Sequence, residues 1–106
     1  MLKILDVMLE LVRMVRPVVE QIERRDREQA GQIRRALNSA VLNAGEAAAQ
    51  RGKRAGNQFC IALGSSREAL WGLRASVEGG HVAPLSSELL DRFDHVNATL
   101  FRLAQR

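Results

Sequence analysis

Residues 59–80, FCIALGSSREALWGLRASVEGG, decide the fold. Phe59, Leu63, Ser66, Leu70, Leu73 and Val77 recur at alternating steps of four and three, the spacing that lines residues along one stripe of an α-helix. Gly79-Gly80 then supplies a left-handed C-terminal stop, and Pro84 suits the first turn of a following helix. Leu85, Leu89, Phe93, Val96, Leu100 and Leu103 repeat the rhythm in a further helix that carries the chain to its end.

Upstream, the segment Arg51-Gly52-Lys53-Arg54-Ala55-Gly56 combines two glycines with three cations and reads as a turn. Before it, Ile33, Ala36, Ala40, Asn43 and Ala47 form a small, smooth helical face. Asp26 caps the start of that helix, with Gln29 at the reciprocal capping-box position. The polar run Glu23-Arg24-Arg25-Asp26-Arg27-Glu28-Gln29 marks a turn ahead of it.

The first helix spans Leu2 to Ile22, with Leu5, Met8, Val12, Val15, Val19 and Ile22 on one face. A second set, Leu2, Ile4, Leu9, Leu11 and Val18, widens the apolar arc to roughly 200°, about twice the minimum stripe of a surface helix. That surplus argues for burial against another subunit, with deep burial in a single bundle as the competing reading. Pro17 removes one amide donor and interrupts or kinks the helix. Four amphipathic helices with short connections predict an all-α, up-down-up-down four-helix bundle, with residues 1–106 forming one domain.

Hydrophobic residues make up 46% of the chain, but Trp71, Phe59, Phe93 and Phe101 are the only aromatic ones. The core is therefore aliphatic and rich in alanine, which lets helix backbones approach closely. Cys60 is the only cysteine, so no intramolecular disulfide forms and a reducing cytoplasm fits. Asp6, Glu10 and Arg13 break the apolar start, which reads as mature structure rather than a signal peptide. No stretch approaches the roughly 20 apolar residues of a membrane span.

The string Gln32-Ile33-Arg34-Arg35-Ala36, followed by Ser39, Asn43 and Glu46, resembles the 23S rRNA intervening-sequence family of four-helix bundle proteins. Phe59, Ile61-Ala62-Leu63-Gly64-Ser65, Glu68 and Gly80-His81 extend the likeness, which is good from about Gly31 to Val82 and weaker at both ends. The chain departs from the family pattern near Val41, where members often carry a proline, and at Ala47, where glycine is common. The resemblance implies a four-helix bundle, ring-like homopentamers and a relationship to the accessory variability determinant proteins of diversity-generating retroelements. Those bind a reverse transcriptase and nucleic acid through basic surface.

The net charge of +4 is carried mainly by arginine and permits binding to polyanions. Candidate nucleic-acid contacts are Arg24, Arg25 and Arg27 at the first turn, Arg34 and Arg35 on the second helix, and Arg51, Lys53 and Arg54 at the second turn. Antiparallel topology puts the two turns at opposite ends, so only an oligomer repeats either set as a ring. Arg67 and Arg74 flank Trp71 at helical spacing, compatible with cation-π packing or with base stacking.

Asn43, Glu46, Ser65 and Glu68 form a candidate structural network between the second and third helices, where it fixes their register. No catalytic group, metal centre or cofactor motif is read. Asp91, Asp94 and His95 offer at most a surface ligand pair, short of the three or four converging ligands of zinc. Cys60 reads as a small buried thiol beside Phe59 and Ile61, and Gly64 as a point of close helix contact.

The sequence thus describes a non-enzymatic oligomeric binding protein. Its partners are further copies of itself and RNA, DNA or a protein that processes nucleic acid. The alternative is a structural protein-interaction scaffold whose cations only solubilise it.

Overall fold

The computed structural model describes residues 3–105, which form α1 (Lys3–Glu23), α2 (Arg27–Ala48), α3 (Gly52–Glu78) and α4 (Ser87–Ala104). At 1.5 Å per residue the 27 residues of α3 span about 40 Å, close to the 43 Å long axis of the molecule. Each helix packs against its neighbours in chain order, and α1 closes the bundle against α4. The most extensive pairing is α2 with α3, where small residues let the helices approach.

On α4, Leu89, Phe93, Val96, Leu100 and Leu103 are all buried, as their spacing predicts. Leu85 and Pro84 precede the helix, however. Ser86 takes the N-cap, its hydroxyl accepting from the Leu89 amide at 3.1 Å. The serine oxygen accepts from an otherwise orphaned first-turn amide, which fixes the helix start after Ser86. The stop after α3 is a Schellman motif: Gly80 has φ +78°, its amide donates to the Val77 carbonyl, and His81 donates to that of Ser76.

The second turn is tighter than its composition suggests. Helix α3 begins at Gly52, which takes φ +65°, so Lys53, Arg54, Ala55 and Gly56 lie inside the helix. Of the two glycines in this segment, Gly52 alone uses the left-handed freedom of glycine; Gly56 is a small residue in a buried position.

On α1 the buried residues are Ile4, Met8, Leu11, Val15, Val19 and Ile22. Leu5 and Val12 are half-buried, so the inward stripe is rotated from the predicted one. An arc that wide holds more than one valid three-four series, and packing selects among them. Leu2 lies outside the described residues. Pro17 is exposed within α1 and does not end it.

On α3, Ala62, Ala69 and Ser76 join the buried stripe, while Leu70 and Val77 sit at its half-buried edge. Close approach falls at Gly72 rather than Gly64. A Cβ on Gly72 would meet Ile33 Cγ1 at 2.7 Å, whereas nothing lies within 4 Å of one on Gly64, which faces outward.

Candidate functional site

The polar residues between α2 and α3 lie along the seam where the helices run antiparallel. Ser39, Asn43 and Glu46 follow one another at steps of four and three on α2 and therefore share a face. Opposite them, Gln58 and Ser65 are seven residues apart on α3.

The Ser39 and Ser65 hydroxyls meet at 3.0 Å. The Asn43 amide donates to the Ser39 carbonyl at 2.8 Å and to its hydroxyl at 3.1 Å. Gln58 donates to Asn43 Oδ1 at 3.4 Å and also to the Glu46 carboxylate. Asn43, Glu46 and Ser65 thus come together, with Ser39 and Gln58 as members that sequence reasoning did not include.

Glu68 is not part of this network. It is exposed and accepts no hydrogen bond among the described residues. Its spacing of three from Ser65 is a same-face step, yet its side chain is exposed and outside the seam. The missed Gln58 could have been found from its spacing of seven to Ser65, which keeps it on the same face.

Two further bonds tie the bundle together. Ser66, fully buried, donates to Asn97 Oδ1 on α4 at 2.6 Å. The Gln29 amide crosses to the Gly72 carbonyl at 3.1 Å instead of returning to its own helix start, so Asp26 caps α2 without the reciprocal half of a capping box. These side chains fix helix register and spend their hydrogen-bonding capacity on one another.

Replacing Asn43 with leucine removes one donor and one acceptor from this seam and is expected to cost about 1–2 kcal/mol. Thermal melting checks this: the midpoint should fall by several degrees, and an unchanged midpoint would remove Asn43 from the pairing of α2 with α3.

The structure divides the basic candidates between the two ends. Arg24, Arg25 and Arg27 surround the α1–α2 turn, about 30 Å along α2 from the other set. Arg34 and Arg35 lie on exposed faces of α2. Arg34 pairs with Glu23 at 3.0 Å through both carboxylate oxygens. That hydrogen bond, with the charge behind it, holds the Glu23 carboxyl below its ordinary value. The pair's small contribution is present above the ordinary glutamate range and fades as pH falls through the lowered value; solvent screens it throughout.

At the other end Arg51, Lys53 and Arg54 are exposed, and none forms an ion pair among the described residues. They surround the start of α3, which has no side-chain cap and no acid in its first turn. The positive end of the helix dipole and its unsatisfied amides thus coincide with three cations. Antiparallel packing also brings Lys3, at the start of α1, and Arg102, near the end of α4, to this end of the bundle.

Trp71 is 65% exposed, with the Arg74 guanidinium carbon 5.3 Å from its ring centroid. Cys60 is exposed rather than buried, because one residue's rotation carries it about 100° from the buried Phe59. Among the described residues, no three His, Cys, Asp or Glu side chains converge on a point that could hold a metal, and no helix is long and apolar enough to cross a membrane.

No family model, curated protein or solved structure matches the chain.

Proposed function

We propose that the protein is a non-enzymatic, self-associating binding protein that engages the phosphates of nucleic acid through the end of the bundle where α2 meets α3. The observation that carries this reading is the coincidence of Arg51, Lys53 and Arg54, all exposed and unpaired among the described residues, with the uncapped start of α3. Helix amides and mobile cations at one point suit a polyanion. At the opposite end Glu23 and Glu28 accompany Arg24, Arg25 and Arg27, and Asp26 is engaged in the α2 cap. At this end Asp6 and Glu46 are the corresponding acids, but neither forms an ion pair with the three cations among the described residues. The net charge of +4 and the resemblance of residues 31–82 to the intervening-sequence family support the same assignment.

Self-association is supported by α1. Leu9 is 47% exposed and, with Val12, Val15, Val19, Leu37 and Val41, lines a mostly apolar groove of about 350 Å3 between α1 and α2, which Arg16, Arg34 and Asn38 also border. A second copy covers this groove, and the family resemblance suggests five copies in a ring. Repetition around a ring would turn weak phosphate contacts into useful avidity. The same groove favours the second reading, a protein-interaction scaffold with no nucleic-acid partner.

Binding of labelled RNA and DNA oligonucleotides across a salt series separates the two readings. Three phosphate contacts per subunit predict that log K falls with log salt at a slope of about −2 to −3 for each engaged subunit. Absence of binding at low salt overturns the nucleic-acid reading and leaves the scaffold. Solution mass over a range of concentrations tests assembly; a strict monomer removes the second copy from the α1–α2 groove.

A further inference from the structure

A second feature, on the α3–α4 side of the molecule, bears on which form of nucleic acid is taken. Trp71 belongs to α3 but not to its buried stripe, and neither Arg67 nor Arg74 beside it on the helix forms an ion pair among the described residues. Arg74 has Glu78 one turn further along, the usual partner spacing for a helix ion pair, yet its guanidinium lies over the indole instead. The Glu78 carboxylate thereby forms no ion pair among the described residues. Between α3 and the segment leading into α4 runs a groove of about 600 Å3, walled by Trp71, Val77, Pro84, Leu85 and Leu90, with Arg74 and Glu78 as its charged groups.

Each part of this groove has a counterpart in an unpaired nucleotide. Trp71 keeps 65% of its surface exposed with Arg74 over its ring, so the indole surface that Arg74 leaves uncovered and the aliphatic walls suit the flat, weakly polar faces of a base. A carboxylate at the rim accepts hydrogen bonds from exocyclic amino groups or ring N–H groups at the base edge. Arg74, on the groove wall, supplies a cation for an attached phosphate. A base inside a duplex has both faces stacked and its edge paired, so it can offer none of these contacts to Trp71.

Resting on the nucleic-acid reading above, we infer that the Trp71–Arg74 groove is a stacking site for an unpaired base, which makes single-stranded nucleic acid the preferred ligand. The phosphate contacts at the α2–α3 turn hold either form, and the groove discriminates between them. It lies toward the opposite end of the bundle, so the two sites are separable by mutation.

The chain has one tryptophan and no tyrosine, so its intrinsic fluorescence reports Trp71 alone. The experiment titrates the full chain at low salt with a short single-stranded oligonucleotide, the same strand made abasic, and a blunt duplex. Anisotropy of a label on the nucleic acid measures binding independently. The expected result is quenching by the single strand at the midpoint given by anisotropy, and little quenching by the abasic strand or the duplex.

Trp71→Ala should weaken single-strand binding by about 5- to 100-fold, the range stacking supports, with duplex binding unchanged and Trp71→Phe recovering part of the loss. Its exposure means that the variant keeps the fold, which a melting curve verifies. A single strand that binds without quenching, or binds Trp71→Ala as tightly as the parent, overturns the stacking site while the phosphate reading stands. No anisotropy change with any oligonucleotide overturns both.

Discussion

Phe93→Ala is expected to destabilise the bundle by about 3–5 kcal/mol, lowering its melting midpoint by roughly 15–30 °C. Phe93 is fully buried on α4 and is the largest side chain sealed in the core. Much of the remaining core is alanine, including Ala30, Ala40, Ala44, Ala62 and Ala69, all 0–1% exposed. Alanine has no rotamer with which to fill a void, and helix backbones already packed on one another cannot easily move inward. The cavity therefore persists and its full cost is felt. Against a total stability of about 5–15 kcal/mol for a domain of this size, the variant should be marginal at physiological temperature.

Phe101→Ala on the same helix provides the contrast. Phe101 is 51% exposed, and its loss should change stability by about 0.5 kcal/mol or less. Thermal melts of the two variants side by side test the inward face of α4. Equal midpoints would mean that Phe93 does not occupy the core.

The rhythm that picks out Phe93 is legible because α4 carries few large apolar side chains outside its buried stripe, chiefly Leu90 and Phe101. On α1 the opposite holds: apolar residues cover so much of the helix that Leu5 and Leu11 look equally fit for the core, and only packing against α2 and α4 selects Leu11. The α2–α3 turn misleads for a different reason. Two glycines and three cations resemble a loop, but a left-handed residue is needed only at Gly52, after which nothing in Lys53-Arg54-Ala55 opposes a helix. The consequence is structural: those cations belong to a helix start and not to a loop.

The polar seam was half legible. Asn43 and Ser65 are recognisable as polar residues close to buried stripes, whereas the participation of Gln58 depends on a long side chain reaching across to Asn43 and Glu46. Ser66 shows the same limit from the other side. Its position in the stripe predicts burial, but its partner Asn97 emerges only when α4 is laid beside α3.

Replacing Arg51, Lys53 and Arg54 together with glutamate is expected to weaken nucleic-acid binding by about 100- to 1,000-fold at low salt and to flatten its salt dependence. Loss of three phosphate contacts reduces the slope of log K against log salt by about 2–3, and the introduced carboxylates add repulsion. Reversal is a sharper test than neutralisation because the amides at the start of α3 remain attractive to phosphate when the cations alone are removed. Glutamate near that start also favours the helix dipole, so the variant should melt no lower than the parent. Lost binding with an intact fold thus reports the surface and not unfolding. The same reversal at Arg24, Arg25 and Arg27 should have a smaller effect, because that turn already carries Glu23 and Glu28. If the two triple variants lose affinity equally, the positive charge of the whole molecule, and not the start of α3, is what the nucleic acid recognises.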